Sequence, residues 1–359
     1  MNEGPTHFIR RYHNVFLFVG GFLFDMVTIR RIDSWPDLAL QLSYLAILTC
    51  LLVYQYHENT GTWAPPPRIA SFWKYNVELL HFFYGGLLSA YVVLYFKSST
   101  GARPIVFFVV LLLLMFMNEM PQVRRFGYRL RLGLYAFCVS SFLHYFLPVL
   151  IGRMGSLVFG LSMALSAAWV WQIAGWLAGQ TPGGKPERIR LFAPAGVLLS
   201  LIVVLYAFRL IPPVPLSVQF QGIYHNVQKT GDSYVLTYEA PRFYRFWRKD
   251  SRPFMARPGD VVYYFARVFA PARFEHRVVI RWELYKELKG AYQTTDTIPL
   301  SVSGGRAEGF RGFAAKSNFQ PGRWRVTAET EDGRAIGLLT FYVVSDSDED
   351  SRAWSETEM

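Results

Sequence analysis

Cysteine is almost missing from these 359 residues: Cys50 and Cys138 are the two present, and both fall inside apolar runs. That speaks against a disulfide-stapled scaffold or a cysteine-built zinc site, and marks the two thiols as small packing residues. Histidine is scarce as well, with seven in the chain, and no cluster of histidine and carboxylate has zinc-like spacing. We therefore expect no metal and no cofactor. The serines lack a nucleophile-elbow context, and after residue 211 the histidines are His225 and His276, without a nucleophile beside either. Nucleophilic catalysis finds no support there. Gly304-Gly305-Arg306 is not followed by a helical pattern, so a β-turn accounts for it better than a phosphate cradle does.

What the chain has is apolar length. Between residues 13 and 211 there are about seven apolar runs, and the stretches 105–117, 137–151, 157–177 and 191–210 are almost free of charge. Roughly 20 apolar residues carry a helix across the ~30 Å hydrocarbon core of a bilayer. Continuous runs, as opposed to alternating ones, select helices over a barrel. Candidate spans are 13–29, 36–56, 76–96, 104–120, 132–151, 155–178 and 191–211, after a short tail over 1–12. The first of them is short and contains Asp25. It ends in Arg30-Arg31 without a small-x-small cleavage site, which reads as an uncleaved signal anchor.

Lysine and arginine bias in the short loops sets the expected orientation. One alternating set holds Arg10, Arg11, Arg68, Lys74, Arg124, Arg125, Arg129, Arg131, Lys185, Arg188 and Arg190, eleven in all. The other holds five: Arg30, Arg31, Lys97, Arg103 and Arg153. The first set should face the cytoplasm, along with the N-terminus, and whatever follows residue 211 should lie outside it. In a Gram-negative cell that means an inner-membrane protein with a periplasmic C-terminal domain.

After residue 211 the character of the sequence changes. Pro212, Pro213 and Pro215 make residues 212–217 a stiff connector. Beyond it apolar residues alternate: Val278, Ile280, Trp282 and Leu284 point one way, and Val279, Arg281 and Glu283 the other. Trp324, Val326 and Ala328 alternate likewise, and Asp332-Gly333 has the composition of a two-residue hairpin turn. Further strands are expected near 218–225, 233–239, 242–248, 261–269, 294–302 and 337–344. The pattern predicts an all-β, immunoglobulin-like sandwich domain over 218–344. Residues 345–359 are acidic and polar and are expected to be disordered.

A string of short motifs runs along this second half. It includes 243–247, Arg257-Pro258-Gly259-Asp260, Arg281-Trp282, Thr295-Asp296 and Gly304-Gly305-Arg306. Gly309-Phe310-Arg311-Gly312-Phe313, Lys316, Gly322-Arg323-Trp324 and Asp332-Gly333 continue it. Gly20-Gly21-Phe22-Leu23-Phe24-Asp25, Leu80-His81-Phe82 and Asn118-Glu119-Met120-Pro121 belong to the apolar half. In these motifs the chain resembles the uncharacterised bacterial multi-spanning membrane protein family with a C-terminal domain of unknown function 2914. The resemblance implies a helical membrane region joined to that domain, and no catalytic residues. Glu283-Leu284 departs from it, where a more polar or basic pair is expected.

Ionisable groups inside spans are costly, so each is a candidate. Glu78, His81 and Glu119 fall near the cytoplasmic ends of their spans and could meet at one depth. Asp25 and His144 fall deeper, in the outer halves of the first and fifth spans, with Arg209 near the outer end of the last. Pro148 follows His144 by one turn and should free a backbone carbonyl nearby. These residues are either a proton relay or small-ligand site, or interhelical hydrogen bonds and interfacial anchors. Outside the membrane the concentrated feature is 242–249, where Arg242, Tyr244, Arg245, Trp247 and Arg248 could contact anionic glycan or lipid, or where the aromatics fill the sandwich while the arginines solvate it. The expected function is a non-enzymatic anchor whose extracytoplasmic domain binds an envelope protein, an anionic glycan or a lipid, with no nucleic acid. The competing reading is a membrane-embedded transporter or enzyme that uses the intramembrane acids and histidines.

Overall fold

The computed structural model describes residues 23, 25, 27, 33–119, 127–179, 184–240, 247–271, 275–303, 309–347 and 351–359. Two compact units emerge: Met1–Lys97 with Arg103–Val214, and Ser98–Ala102 with Pro215–Met359. The boundary falls inside the proline-rich connector.

The first unit contains seven helices among the described residues: α1 (Trp35–Asn59), α2 (Pro67–Trp73), α3 (Asn76–Lys97), α4 (Ile105–Glu119), α5 (Tyr128–Ile151), α6 (Ser156–Gly179) and α7 (Gly184–Ala207). Five of them, α1, α3, α5, α6 and α7, are long and apolar enough to cross a membrane. Leu157, Leu161 and Leu165 form an exposed apolar strip on α6, and Val197, Val203, Val204 and Phe208 are exposed on and just after α7. Apolar faces turned outward in this way suit lipid, not water.

Two of the expected seven spans are not among these five. Of the span over 13–29, residues 23, 25 and 27 are described and are helical, and the remainder lies outside the described residues. The span over 104–120 is a 15-residue helix. At 1.5 Å per residue it reaches roughly 22 Å, short of the hydrocarbon thickness.

Side-chain registers nevertheless require the chain to recross at α4. Tyr84 and Tyr91 of α3 donate to the carbonyls of Arg131 and Cys138 of α5, so residues seven apart on one helix meet residues seven apart on the other. Both numbers rise together, which makes α3 and α5 parallel. Gln41 meets Tyr145 and Thr49 meets Tyr135, so α1 runs against α5. Ser162 meets Leu143 and Trp169 meets Tyr135, so α6 does too. Gly133 abuts Pro194, and His144 faces Tyr206, so α7 is parallel to α5. The chain therefore leaves the bundle at the end shared by the C-termini of α3, α5 and α7.

Among the described residues the second unit has eleven strands: β1 (Ser217–Tyr224), β2 (Asn226–Thr230), β3 (Ser233–Glu239), β4 (Phe254–Ala256), β5 (Val262–Phe269), β6 (Glu275–Lys286), β7 (Ala291–Ser303), β8 (Phe310–Lys316), β9 (Gly322–Thr330), β10 (Ala335–Ser345) and β11 (Trp354–Glu358). They form three sheets, ordered β4-β10-β9-β6-β7, β1-β5-β8 and β11-β3-β2. All pairings are antiparallel except β4 with β10. The expected alternation holds: Val278, Ile280, Trp282, Leu284, Trp324, Val326 and Ala328 are buried.

The sheet β1-β5-β8 is covered on both faces. On one, Gln221 of β1 accepts from the Tyr264 hydroxyl at 2.9 Å and donates to the Leu338 carbonyl of β10 at 3.1 Å. On the other, Phe265 packs with Tyr224, Val227, Leu236 and Tyr238 under the β11-β3-β2 sheet. Gly337 is what allows β1 to approach β10, since a Cβ there would lie 2.7 Å from Val218.

Two details of the second unit depart from the sequence expectation, and a third expectation lies mostly outside the described residues. The end of the supposedly disordered tail is a strand, because β11 pairs in register with β3 and Met359 exchanges two backbone hydrogen bonds with Tyr234. The hairpin between β9 and β10 is a turn closed from Thr330 to the Gly333 amide at 2.9 Å. Gly333 takes the left-handed conformation and Asp332 does not, so Asp332-Gly333 is not a two-residue turn of the type with both central residues left-handed. Of the expected strand over 242–248, residues 241–246 lie outside the described residues and Trp247 is in a turn.

Candidate functional site

The polar groups of the helical unit are arranged as a ladder between helices. Tyrosines at 84, 91 and 95 recur on α3 at helical spacing, so they share one face, and all three are fully buried. Each hydroxyl has a partner on α5: Tyr84 and Tyr91 the carbonyls already named, and Tyr95 the His144 Nδ1 at 3.1 Å. From α5 the ladder continues to α1 and α6. The Tyr145 hydroxyl donates to Gln41. The Tyr135 hydroxyl bonds Thr49 at 2.6 Å and accepts from the Trp169 indole at 2.8 Å.

His144 sits in this ladder. Its ring is buried edge-on to Tyr95, Phe159 and Tyr206, at centroid distances of 5.8, 5.3 and 6.1 Å. Pro148, one turn further, lies in the last turn of α5, which Gly152 closes in the left-handed conformation. Asp25 is half-buried and faces Ser89 of α3. Asp25 and His144 thus take partners six residues apart on α3, roughly 9 Å along its axis.

The other proposed cluster is divided by burial. His81 is buried, whereas Glu78 is exposed in the first turn of α3. Glu119 is the final residue of α4. Arg209 lies beyond the end of α7, exposed, with φ +57°. The Leu210 amide reaches back to Leu205 and the Arg209 amide to Tyr206, so Arg209 occupies the left-handed position that closes a helix.

At the opposite end of the bundle is a chain of hydrogen bonds that the sequence reading did not single out. Arg131 of α5 donates to Gln55 at 2.6 Å, and Gln55 donates to Asn76 at 2.5 Å. Asn76 donates to the Trp73 carbonyl, and the Trp73 indole donates to Glu58 at 2.7 Å. Glutamines within apolar runs, and tyrosines at intervals of seven and four, were the available signals. Beside this network opens a cleft of about 470 Å³, lined by Cys50, Val53, Tyr54, His57, Trp63 and Trp176 among others. Tryptophan and tyrosine gathered at a bundle end are typical of the bilayer interface.

In the second unit, Arg242, Tyr244 and Arg245 lie outside the described residues. Trp247 is 66% exposed, and Arg248 donates to the Arg252 carbonyl at 2.9 Å. Behind them the C-terminal segment is latched by charge. Arg352 bonds Asp260 at 2.9 Å and the Met255 carbonyl at 3.0 Å, and Arg257 bonds Asp346 at 2.6 Å. Burial alone would raise the Asp260 carboxyl, but hydrogen bonds from Arg352 and the Arg257 amide hold it below the usual range.

His225 is enclosed by this latch, stacked on Phe254 at 4.0 Å and edge-on to Trp354 at 5.0 Å. Burial pushes its pKa down to about 4; the nearby Asp260 opposes the shift and Arg352 adds to it. A second enclosed group is Lys316 of β8. It bonds Asp296 and Asn318, and it lies 5.2 Å from the centre of the Trp324 ring. The hydrogen bond from Lys316 holds the Asp296 carboxyl low. Asp296, Lys316 and Trp324, apart in sequence, are thus one internally satisfied cluster.

Comparison with known proteins places one segment. Residues 275–343 match the family described as "Protein of unknown function (DUF2914)", so the C-terminal region carries that domain, spanning β6 to most of β10. No curated protein matches the chain. Among solved structures, a Pseudomonas fluorescens alkylpurine DNA glycosylase, AlkC, bound to DNA containing an abasic site analogue, aligns at 12% identity. The alignment covers 88% of this chain and 100% of that one, with a TM-score of 0.20. Backbones that superpose this poorly share no demonstrable fold, and the likeness carries no argument.

Proposed function

We propose that this is a non-enzymatic membrane anchor whose helical unit holds a partner-binding β domain on the extracytoplasmic side of a bacterial inner membrane. The observation that carries the reading is the ladder: tyrosine hydroxyls buried between α3, α5, α1 and α6 are taken up by hydrogen bonds to other helices. Such groups hold a bundle together, whereas a transport path needs polar groups turned towards a permeating species.

Sidedness rests on loop charge combined with helix direction. The registers put Arg68, Lys74, Lys185, Arg188 and Arg190 at one end, with Arg103 and Arg153 at the end from which the β domain departs. The positive-inside rule then assigns the richer end to the cytoplasm. The β4-β10-β9-β6-β7 sheet facing β1-β5-β8 is the immunoglobulin-like sandwich of this reading, with β11-β3-β2 as an added layer. Its partner is an envelope protein or an anionic glycan or lipid, contacted from the exposed surface of the domain.

Deletion of residues 217–359 should abolish partner recovery in crosslinking pull-downs from intact cells, while the helical unit still inserts. Unchanged recovery rejects the proposal.

A further inference from the structure

The outward face of the five-stranded sheet carries a row of side chains that the core does not need. Tyr342 of β10 lies opposite Arg323 of β9. Leu284 of β6 is opposite Trp324, which places Tyr285 beside Arg323 in the same transverse row. Tyr285 in turn is opposite Tyr292 of β7. Four adjacent strands therefore present Tyr342, Arg323, Tyr285 and Tyr292 in line, over roughly 14 Å at the usual strand spacing.

The contacts within the row are aromatic and cationic. Tyr285 and Tyr292 meet edge to face at 5.2 Å, and the Arg323 guanidinium lies 5.6 and 5.7 Å from their centres. Arg325, one row along, stacks on Tyr292 at 4.0 Å while bonding Glu283 at 2.7 Å. Arg281 is likewise matched to Glu329. Arg323 differs from both neighbours: among the described residues it has no carboxylate within ion-pair distance. It is exposed, and Tyr342 is 55% exposed. Lys286 and Lys289 flank the nearby turn between β6 and β7, against the single acid Glu287.

We infer that this row is a binding surface for an extended anionic glycan. Resting on the proposal above, the inference names the ligand class and puts it on a surface other than 242–249. Small-molecule sites are concave, whereas this one is an open sheet face, which suits a polymer lying across the strands. Tyr342 offers an apolar ring to a sugar face and a hydroxyl to its rim, at little conformational cost, while Tyr292, covered by Arg325, supports the row from beneath. The Arg323 guanidinium offers two parallel donors to a carboxylate, with no acid among the described residues to displace. A neutral glycan would leave that charge unmatched.

The test uses the full chain in phosphatidylcholine nanodiscs, titrated with polygalacturonate and, separately, with neutral dextran. The parent should bind polygalacturonate and not dextran, with affinity falling as salt rises. Arg323→Ala and Tyr342→Ala should each weaken binding about tenfold or more. Arg323→Lys should recover part of the loss, and Lys229→Ala on β2 should change nothing. Unaltered tryptophan fluorescence checks that the outward substitutions leave the core intact. If the parent binds and Arg323→Ala binds equally, the site is wrong while the anchored-module reading stands. Equal binding of dextran, or no binding of polygalacturonate, overturns the choice of ligand, and the crosslinking test then decides the wider reading separately.

Discussion

Tyr95 and His144 illustrate how much of the bundle depends on single polar contacts. Their 3.1 Å hydrogen bond joins α3 to α5 in a setting without competing water. Tyr95→Phe should therefore cost about 1 kcal/mol in a denaturant titration in detergent. Replacing both partners by phenylalanine should cost less than the two single changes added together, because neither is left with a stranded polar atom. Arg209 makes the opposite case. At φ +57° a side chain is strained, so Arg209→Gly should raise stability by up to about 1 kcal/mol in the same titration.

His225 gives a pH dependence with a definite sign. Its pKa is about 4 in the fold, against 6.5 ordinarily, because burial disfavours the charged ring. Between those values the unfolded chain binds the extra proton, so stability is fully present above about pH 6.5 and falls as pH drops towards 4. The loss should be on the order of 3 kcal/mol. Melting of the β-sheet signal of the whole chain at several pH values measures it, and in His225→Phe that part of the slope should vanish.

Among the elements, β10 is held by an absence of side chain. Gly337 leaves room for Val218 and Gln221 of β1, and Gly337→Val should separate the two sheets and cost several kcal/mol by overpacking. Loss of the near-ultraviolet signal of the buried tryptophans, before any loss of helix, would report it. Elements of this kind also show what the sequence can and cannot convey. The alternation in β6 and β9 was legible because every second residue enters the core, and β6 extends beyond the expected stretch at both ends. The short β4 was not, since its three residues pair with the distant β10, nor was β2, whose polar Asn226–Thr230 buries only Val227. Nor was β11, whose acidic sequence looks unstructured until Arg352, Ser233 and Trp354 find their partners.

The same holds for the candidate sites. Charges in apolar runs are conspicuous in the sequence, and tyrosines are not. Yet three tyrosines on α3 contribute more interhelical hydrogen bonds than Asp25 or Glu78, because a phenol is buried at far less cost than a carboxylate. The row on the outward sheet face was invisible for a different reason. Arg323, Tyr285 and Tyr342 are distant in sequence, and strand order alone brings them into line.

For the molecule as a whole the helix registers fix relative direction, and loop charge supplies absolute direction. The two are independent: the first comes from pairs such as Tyr84 with Arg131 and Trp169 with Tyr135, the second from lysine and arginine counts. Their combination is the basis for the proposed placement of the β domain outside the cytoplasm, and every proposed partner depends on it. A pair of fusions after Met359, one to alkaline phosphatase and one to green fluorescent protein, tests it most directly. The account predicts an active phosphatase and a dark fluorescent protein. A bright fluorescent protein with an inactive phosphatase would contradict it.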